Sequence, residues 1–178
     1  YELEAKNLLK FSSLVKDKKF EIPFLYKNLC TKNILTMEYK PGISIDKIVD
    51  LSKRKKNQIF YKLMELLFNE IFDFGYIQTD PNYSNFLYDH KKNKIILLDF
   101  GASQKISPEV RNKFKNLLLD TWNNDHRKIK NSLFDLGILH DTFPKKIETI
   151  FLDFFYEVTY PIREKKFFNF DRIDIIDK

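Results

Sequence analysis

The sequence predicts an α+β domain, and three stretches carry that prediction. Ile59, Phe60, Leu63, Leu66, Leu67, Ile71 and Phe74 recur at three- and four-residue steps, which makes one wide apolar helical stripe. Directly after it the texture changes to the turn-rich YIQTDPNYSNFLYD. Strand-like Phe86–Tyr88, the polar turn HKKNK and the dense apolar run Ile95–Leu98 then read as a short hairpin. Beyond Ser107, helical patterns follow one another over 108–122, about 126–136 and 145–158.

The elements can be justified in chain order. Leu3, Leu8, Leu9 and Phe11 sit beside charges at roughly helical spacing, so residues 2–16 are expected as a helix. NILTMEY, residues 33–39, is β-branched and apolar and closes on Pro41-Gly42, which predicts a strand. Ser44 is placed to cap a short helix through Asp50. The long striped helix follows, and Gly75 stops it as glycine does at a helix C-terminus. Ser107-Pro108-Glu109 is a helix start: a capping hydroxyl, proline in the first turn and an early acid. Trp122 and the Phe-rich run 151–155 are expected in the core, and the tail from Tyr160 is mixed and charged.

Composition narrows the function classes. A chain of 178 residues with 18 Phe and 9 Tyr can bury a sizeable core and is not disordered in composition. The single cysteine, Cys30, excludes an intrachain disulfide and has no metal-ligand spacing around it, so it reads as a buried thiol. No apolar run approaches the ~20 residues of a bilayer span. The net charge of +6 is spread among 25 acidic residues, so it favours phosphate or an anionic membrane surface only weakly, and no nucleic-acid partner is expected. His90, His126 and His140 are far apart and show no metal-type spacing.

The chemistry concentrates between Gln78 and Gly101. Asp80 and Asn85 stand five positions apart in turn-rich sequence, and Asp99-Phe100-Gly101 follows after one hairpin. Phosphoryl transfer needs metal ions held against the phosphates and a carboxylate near the attacking oxygen. Mg²⁺ takes a few protein oxygens beside phosphate and water. One carboxylate and one amide oxygen joined by a hairpin suit that task. Either motif alone is an ordinary turn. A helix with a glycine stop, D-x-x-x-x-N, a hairpin, an apolar strand and D-F-G, in that order, is the arrangement of a kinase catalytic loop.

The strings Gln78-Thr79-Asp80-Pro81-Asn82-Tyr83-Ser84-Asn85-Phe86 and Leu97-Leu98-Asp99-Phe100-Gly101-Ala102 resemble the UbiB/ADCK (AarF-domain) family of atypical kinases. Tyr1-Glu2-Leu3-Glu4-Ala5-Lys6-Asn7 resembles that family's Y-x-x-E-A-x-N helix, and Leu35-Thr36-Met37-Glu38-Tyr39 with Gly42 resembles its hinge; the similarity covers roughly residues 1–140. The resemblance implies a protein-kinase-like fold, here mostly the helical large lobe with hinge and catalytic hairpin, and a small lobe largely missing. It implies ATP and Mg²⁺ as cofactors, ATPase activity rather than protein phosphorylation, support of coenzyme Q (ubiquinone) biosynthesis and a mitochondrial location. Isoprenoid-quinone intermediates or a biosynthetic complex are its implied partners. Carried over residue by residue, Asp80 is the catalytic-loop acid, and Asn85 and Asp99 are metal ligands. Glu4 is the helix glutamate that pairs with the nucleotide-positioning lysine. Glu38 and Tyr39 offer hinge backbone to adenine.

The chain departs from the family pattern at its start. It opens in charged helical sequence without Met, so the lysine strand, the nucleotide-covering loop and the K-x-G-Q element are expected upstream of Tyr1. The division expected is the end of the small lobe and hinge over 1–39, the large lobe over 40–159 and a tail over 160–178. Gln78-Thr79 replaces the usual His-Arg, and only about five residues separate Gly101 from the helix at Ser107, too few for an activation segment with A-P-E. A conventional protein kinase therefore ranks low. A small-molecule kinase of the aminoglycoside or choline type shares the D-x-x-x-x-N logic. A nucleotide-gated lipid-binding or scaffold protein of the quinone complex, without productive phosphoryl transfer, is the alternative from another class.

Overall fold

The computed structural model describes residues 1–80 and 82–163. They form two compact units, Tyr1–Ile106 and the chain from Ser107 onward. The first unit opens with α1 (Glu2–Leu14), whose first turn carries Glu2 and Glu4, the sign that suits a helix N-terminus. Its buried face is Asn7, Leu8 and Phe11. The Phe11 ring packs 5.1 Å from that of Phe100 and 5.6 Å from that of Tyr76. α1 ends two residues earlier than the expected helix.

The strands of this unit are short. β1 (Phe20–Glu21) runs parallel to β5 (Lys94–Leu97), β5 pairs antiparallel with β4 (Phe86–Asp89), and β4 pairs antiparallel with β2 (Ile43–Ser44). The sheet order is β1-β5-β4-β2. β5 is its apolar spine, with Ile95, Ile96 and Leu97 at most 1% exposed. Gly42 lets the chain pass against this sheet, since a Cβ there would lie 2.8 Å from the Leu87 Cβ. β3 (Tyr76–Gln78) pairs antiparallel with β6 (Ser103–Lys105) in a separate ribbon.

Between β2 and β3 in sequence lies α2 (Lys53–Phe68), continued by a π-helical turn over Asn69–Phe74. Gly75 ends it in the left-handed region at φ 59°, a conformation that favours glycine. The hairpin of β4 and β5 is as expected, with Asn93 at φ 55° in its turn. The strand expected over 33–39 is not one. Leu25 and Met37 form a single bridge, as do Thr31 and Ile34, and a 3₁₀ turn at Lys27–Leu29 breaks the facing chain. The helix expected after Ser44 is likewise only a 3₁₀ turn, Ile45–Lys47, because the Ser44 hydroxyl bonds to the Asp46 carboxylate rather than to a helical N–H. Cys30 is half-buried; its thiol accepts the Thr36 N–H and donates to the Tyr26 carbonyl.

The second unit consists of helices: α3 (Pro108–Trp122), α4 (His126–Asp135), α5 (Lys145–Val158) and α6 (Tyr160–Arg163). Ser107 caps α3 by accepting the Val110 N–H, and Asp125 caps α4 by accepting the Lys128 N–H. Leu117, Ile129, Leu133 and Leu139 form the core, with Phe151 and Phe155 packed against it. Trp122 and Phe154 are exposed, contrary to expectation, because they sit on the outer faces of α3 and α5. The expected tail begins with α6, and residues 164–178 lie outside the described residues. Among the described residues no helix is long and apolar enough to cross a membrane.

Candidate functional site

The loop that carries D-x-x-x-x-N is built by hydrogen bonds that neighbouring residues send in different directions. The Gln78 N–H donates to the Glu70 carboxylate at 3.2 Å. The next residue, Thr79, donates both its N–H and its hydroxyl to the Ala102 carbonyl, at 2.7 and 2.5 Å. That places Asp80 at the end of a strand fixed on two sides. Asp80 Oδ2 then accepts from Asn85 Nδ2 at 2.9 Å, and Asp80 Oδ1 accepts the Asn82 N–H at 3.2 Å. Asn82 in turn caps the 3₁₀ turn Tyr83–Asn85 by accepting from Ser84.

Asp99 is brought in by the backbone. The Leu98 N–H donates to the Asn85 carbonyl at 3.0 Å, so Asp99 leaves β5 one residue from Asn85's own backbone. Asp99 Oδ1 accepts the Gly101 N–H at 2.8 Å, which fixes the carboxylate in the turn. A Cβ on Gly101 would come within 3.2 Å of that oxygen, so the turn is fitted to glycine. Asp80 and Asn85 thus meet side chain to side chain, and the bond from Leu98 to Asn85 sets the residue before Asp99 against the same loop.

Glu4 joins them from α1. Burial raises the pKa of its carboxyl above the ordinary value, and the negative charge of Asp99 raises it further. Asn7, one helical turn on, is 3% exposed and connects α1 to the D-F-G turn. It donates to the Phe100 carbonyl at 2.7 Å and accepts from the Tyr76 hydroxyl at 2.8 Å.

The hinge residues are held by a different set of bonds. The Glu38 N–H donates to the Phe24 carbonyl at 2.8 Å, and its carboxylate accepts from Lys40 at 2.7 Å and from the Phe24 N–H at 3.2 Å. Lys40 also bonds to Glu21 at 2.6 Å, and that bond is the main reason its pKa is raised. Glu38's side chain and N–H are therefore both engaged within the segment expected as a hinge. Tyr39 is 87% exposed.

The donor set suits magnesium. The Asn85 NH₂ is engaged by Asp80, which makes its Oδ1 the oxygen that can meet a metal, and Asp99 supplies a carboxylate: two hard oxygens, with the remainder left to phosphate and water. Among the described residues no group of three or more His, Cys, Asp and Glu side chains gathers as a metal cage would require, and a nucleotide-bound magnesium needs none. Elsewhere, a shallow groove of about 560 Å³ is lined by Lys53, Arg54, Asn57, Gln58 and Tyr61 of α2, and no residue of the loop contributes to it. The spacing of motifs did not single out Asn7, Glu70 or Thr79 as site-building residues. Asn7 was visible only as the last letter of the Y-x-x-E-A-x-N string. Nothing marked Glu70 in a stretch whose apolar stripe dominates.

A helical stripe leading into a D-x-x-x-x-N loop, a hairpin and a D-F-G turn braced from a preceding helix defines a kinase-like protein. The fold agrees with a solved structure titled as the complex of Rv3197 with erythromycin from Mycobacterium tuberculosis, at TM-score 0.71 and 18% identity over 93% of this chain and 42% of that one. The ABC1 atypical kinase-like domain model matches residues 1–133, and the chain belongs to that family, the UbiB/ADCK atypical kinases. It is 39% identical over 140 residues to "Atypical kinase COQ8, mitochondrial" of Saccharomyces cerevisiae, covering 78% of this chain and 28% of the relative. It is 36% identical over 140 residues to rat "Atypical kinase COQ8B, mitochondrial", covering 78% and 26%, and 33% identical over 178 residues to the Schizosaccharomyces pombe COQ8 kinase, covering 99% and 28%. The chain thus spans little more than a quarter of the length of these relatives. Their mitochondrial names support a mitochondrial location for this protein.

Proposed function

We infer that the full protein is an atypical kinase or ATPase that binds Mg-ATP at the Asp80–Asn85–Asp99 loop and supports coenzyme Q biosynthesis. The observation that supports this reading is the Asp80–Asn85 hydrogen bond, with the Asn85–Leu98 backbone bond tying that loop to the residue before Asp99. Bound Mg²⁺ would neutralise charge on the phosphate oxygens as it develops. Asn85 and Asp99 would hold it. Asp80, kept in place by Asn85, would orient the attacking oxygen and accept its proton. Glu4, half-buried beside Asp99, favours a cation between the two carboxyls, which suits a lysine or the metal. The Glu38 carbonyl and the backbone of Tyr39 would meet adenine.

The quinone pathway comes from the relatives named COQ8, and no residue described here reads out a quinone. An anionic membrane surface is a second candidate partner, supported by Lys53-Arg54-Lys55-Lys56 in the first turn of α2 and by the exposed rings of Phe60 and Tyr61. Complementation tests the whole reading. Cells lacking the protein should lose coenzyme Q measured by mass spectrometry, and full-length protein should restore it while Asp80→Ala should not. Normal quinone in the null cells would defeat the pathway. Full rescue by folded Asp80→Ala would defeat catalysis and leave a nucleotide-gated scaffold as the better account.

A further inference from the structure

Glu70 is the buried acid that the site chemistry above does not use. It is 3% exposed, within a helix whose other inward residues are apolar. Burial pushes its carboxyl up to about 8, and the Gln78 N–H offsets this only in part. A buried carboxyl with so high a value is a cost to the fold unless it has a task.

Its bonds indicate the task. The helix widens at Asn69–Phe74 into a π turn, and the Gly75 N–H there reaches back to the Glu70 carbonyl. The Glu70 side chain accepts the N–H of Gln78. One residue therefore grips β3 at both ends, through its backbone before Tyr76 and through its carboxyl at Gln78. Gln78 pairs with Ser103 on its β6 side, and Thr79 is tied to Ala102. The Glu70 bond braces the strand independently of the D-F-G segment, two residues before Asp80. π turns inserted in α-helices are frequent at functional sites.

We propose that Glu70 is a positioning residue that sets the catalytic loop from behind, holding β3 so that Asp80 meets Asn85 and the incoming nucleophile. This rests on the reading of Asp80 as the catalytic-loop acid. A neutral group that accepts the Gln78 N–H suffices for the task, so glutamine should replace Glu70 and methionine, similar in size but without an oxygen, should not.

The test uses full-length protein with Glu70→Gln and Glu70→Met, assayed for ATP hydrolysis and for amide hydrogen exchange over residues 76–80. Methionine should speed exchange at Gln78 and lower kcat about 30-fold while KM for ATP shifts less than about threefold, since misplacing a catalytic group by a fraction of an ångström acts on the transition state. Glutamine should stay within about threefold of wild type in both readouts. Wild-type kcat and exchange in folded Glu70→Met would overturn the proposal, as would a Glu70→Gln protein as impaired as Glu70→Met. If Glu70→Met does not fold, Glu70→Gln decides: retained kcat and protection at Gln78 support the proposal, and their loss overturns it. If wild-type protein hydrolyses no ATP, the functional reading fails separately, and exchange at Gln78 in the variants still judges the brace.

Discussion

The unit from Tyr1 to Ile106 and the unit from Ser107 onward are held together by different means. The second is made of amphipathic helices around Leu117, Ile129, Leu133 and Leu139, and its order follows from apolar residues at helical spacing. The first has strands of two to four residues, and much of its geometry comes from polar bonds between residues distant in sequence, such as Asn7 with Phe100 and Thr79 with Ala102. Apolar burial is non-directional and tolerates small shifts, whereas a hydrogen bond fixes distance and angle. The candidate chemistry lies in the unit that has the directional bonds.

Substitutions in the two units put that contrast to the test. The largest effect should come from Asp99→Asn in the full-length protein. Loss of a metal-ligating charge should lower ATP hydrolysis by about 100-fold or more and remove most of the thermal stabilisation by Mg-nucleotide, with little change in the melting point of the nucleotide-free protein. An unchanged nucleotide shift would remove Asp99 from the metal site. Leu133→Ala should do the reverse. Leu133 is fully buried, so denaturant titration should show a loss of about 2–5 kcal/mol, while folded protein keeps its response to Mg-nucleotide.

Glu70 predicts a pH dependence with a definite sign. Its carboxyl has a higher pKa folded than unfolded, so between the ordinary value of 4.5 and about 8 the folded state holds the extra proton. Stability should therefore fall as pH rises through that window, by on the order of 3 kcal/mol by pH 7. Thermal melts of wild type and Glu70→Gln across this range should show a steeper decline in the wild type, and parallel curves would contradict it. Asn7→Ala should cost about 1–3 kcal/mol by leaving the Phe100 carbonyl and the Tyr76 hydroxyl without their partner. It should also weaken nucleotide binding, which Leu133→Ala should not. Ser107→Ala should cost least, about 1 kcal/mol for one lost cap, read from the same denaturant curves.

The same contrast explains what could be read from the sequence. The helices over 108–122 and 145–158 match α3 and α5, because periodicity alone sets them. The stripe through Ile59 and Leu66 and the stop at Gly75 were equally plain. The D-x-x-x-x-N spacing reads directly onto the Asp80–Asn85 bond, since both residues lie within one turn-rich segment. The β3–β6 ribbon was hidden: Tyr76-Ile77-Gln78 and Ser103-Gln104-Lys105 are too short and too polar to announce strands, and they pair only because the hairpin between them folds back. NILTMEY has strand composition but no continuous partner, because the chain facing it turns at Lys27–Leu29. Trp122 was misjudged by its size, since the face of a helix decides burial before the residue type does. Glu70 gave no sign, because a lone polar residue in a helix has no period, and Asn7 was legible only within the Y-x-x-E-A-x-N string, which says nothing of its bonds to Phe100 and Tyr76.

The tie between Thr79 and Ala102 has a further consequence. The chain after Gly101 enters β6 at Ser103, is zipped to Tyr76–Gln78 through Lys105, and starts α3 at Pro108. Such a segment has no slack. Six residues, 102–107, separate Gly101 from α3, and half of them are the strand β6, so no long loop hangs between the D-F-G turn and that helix. The ribbon that receives the chain after Asp99 also carries Gln78, so the two ends of the loop share one support.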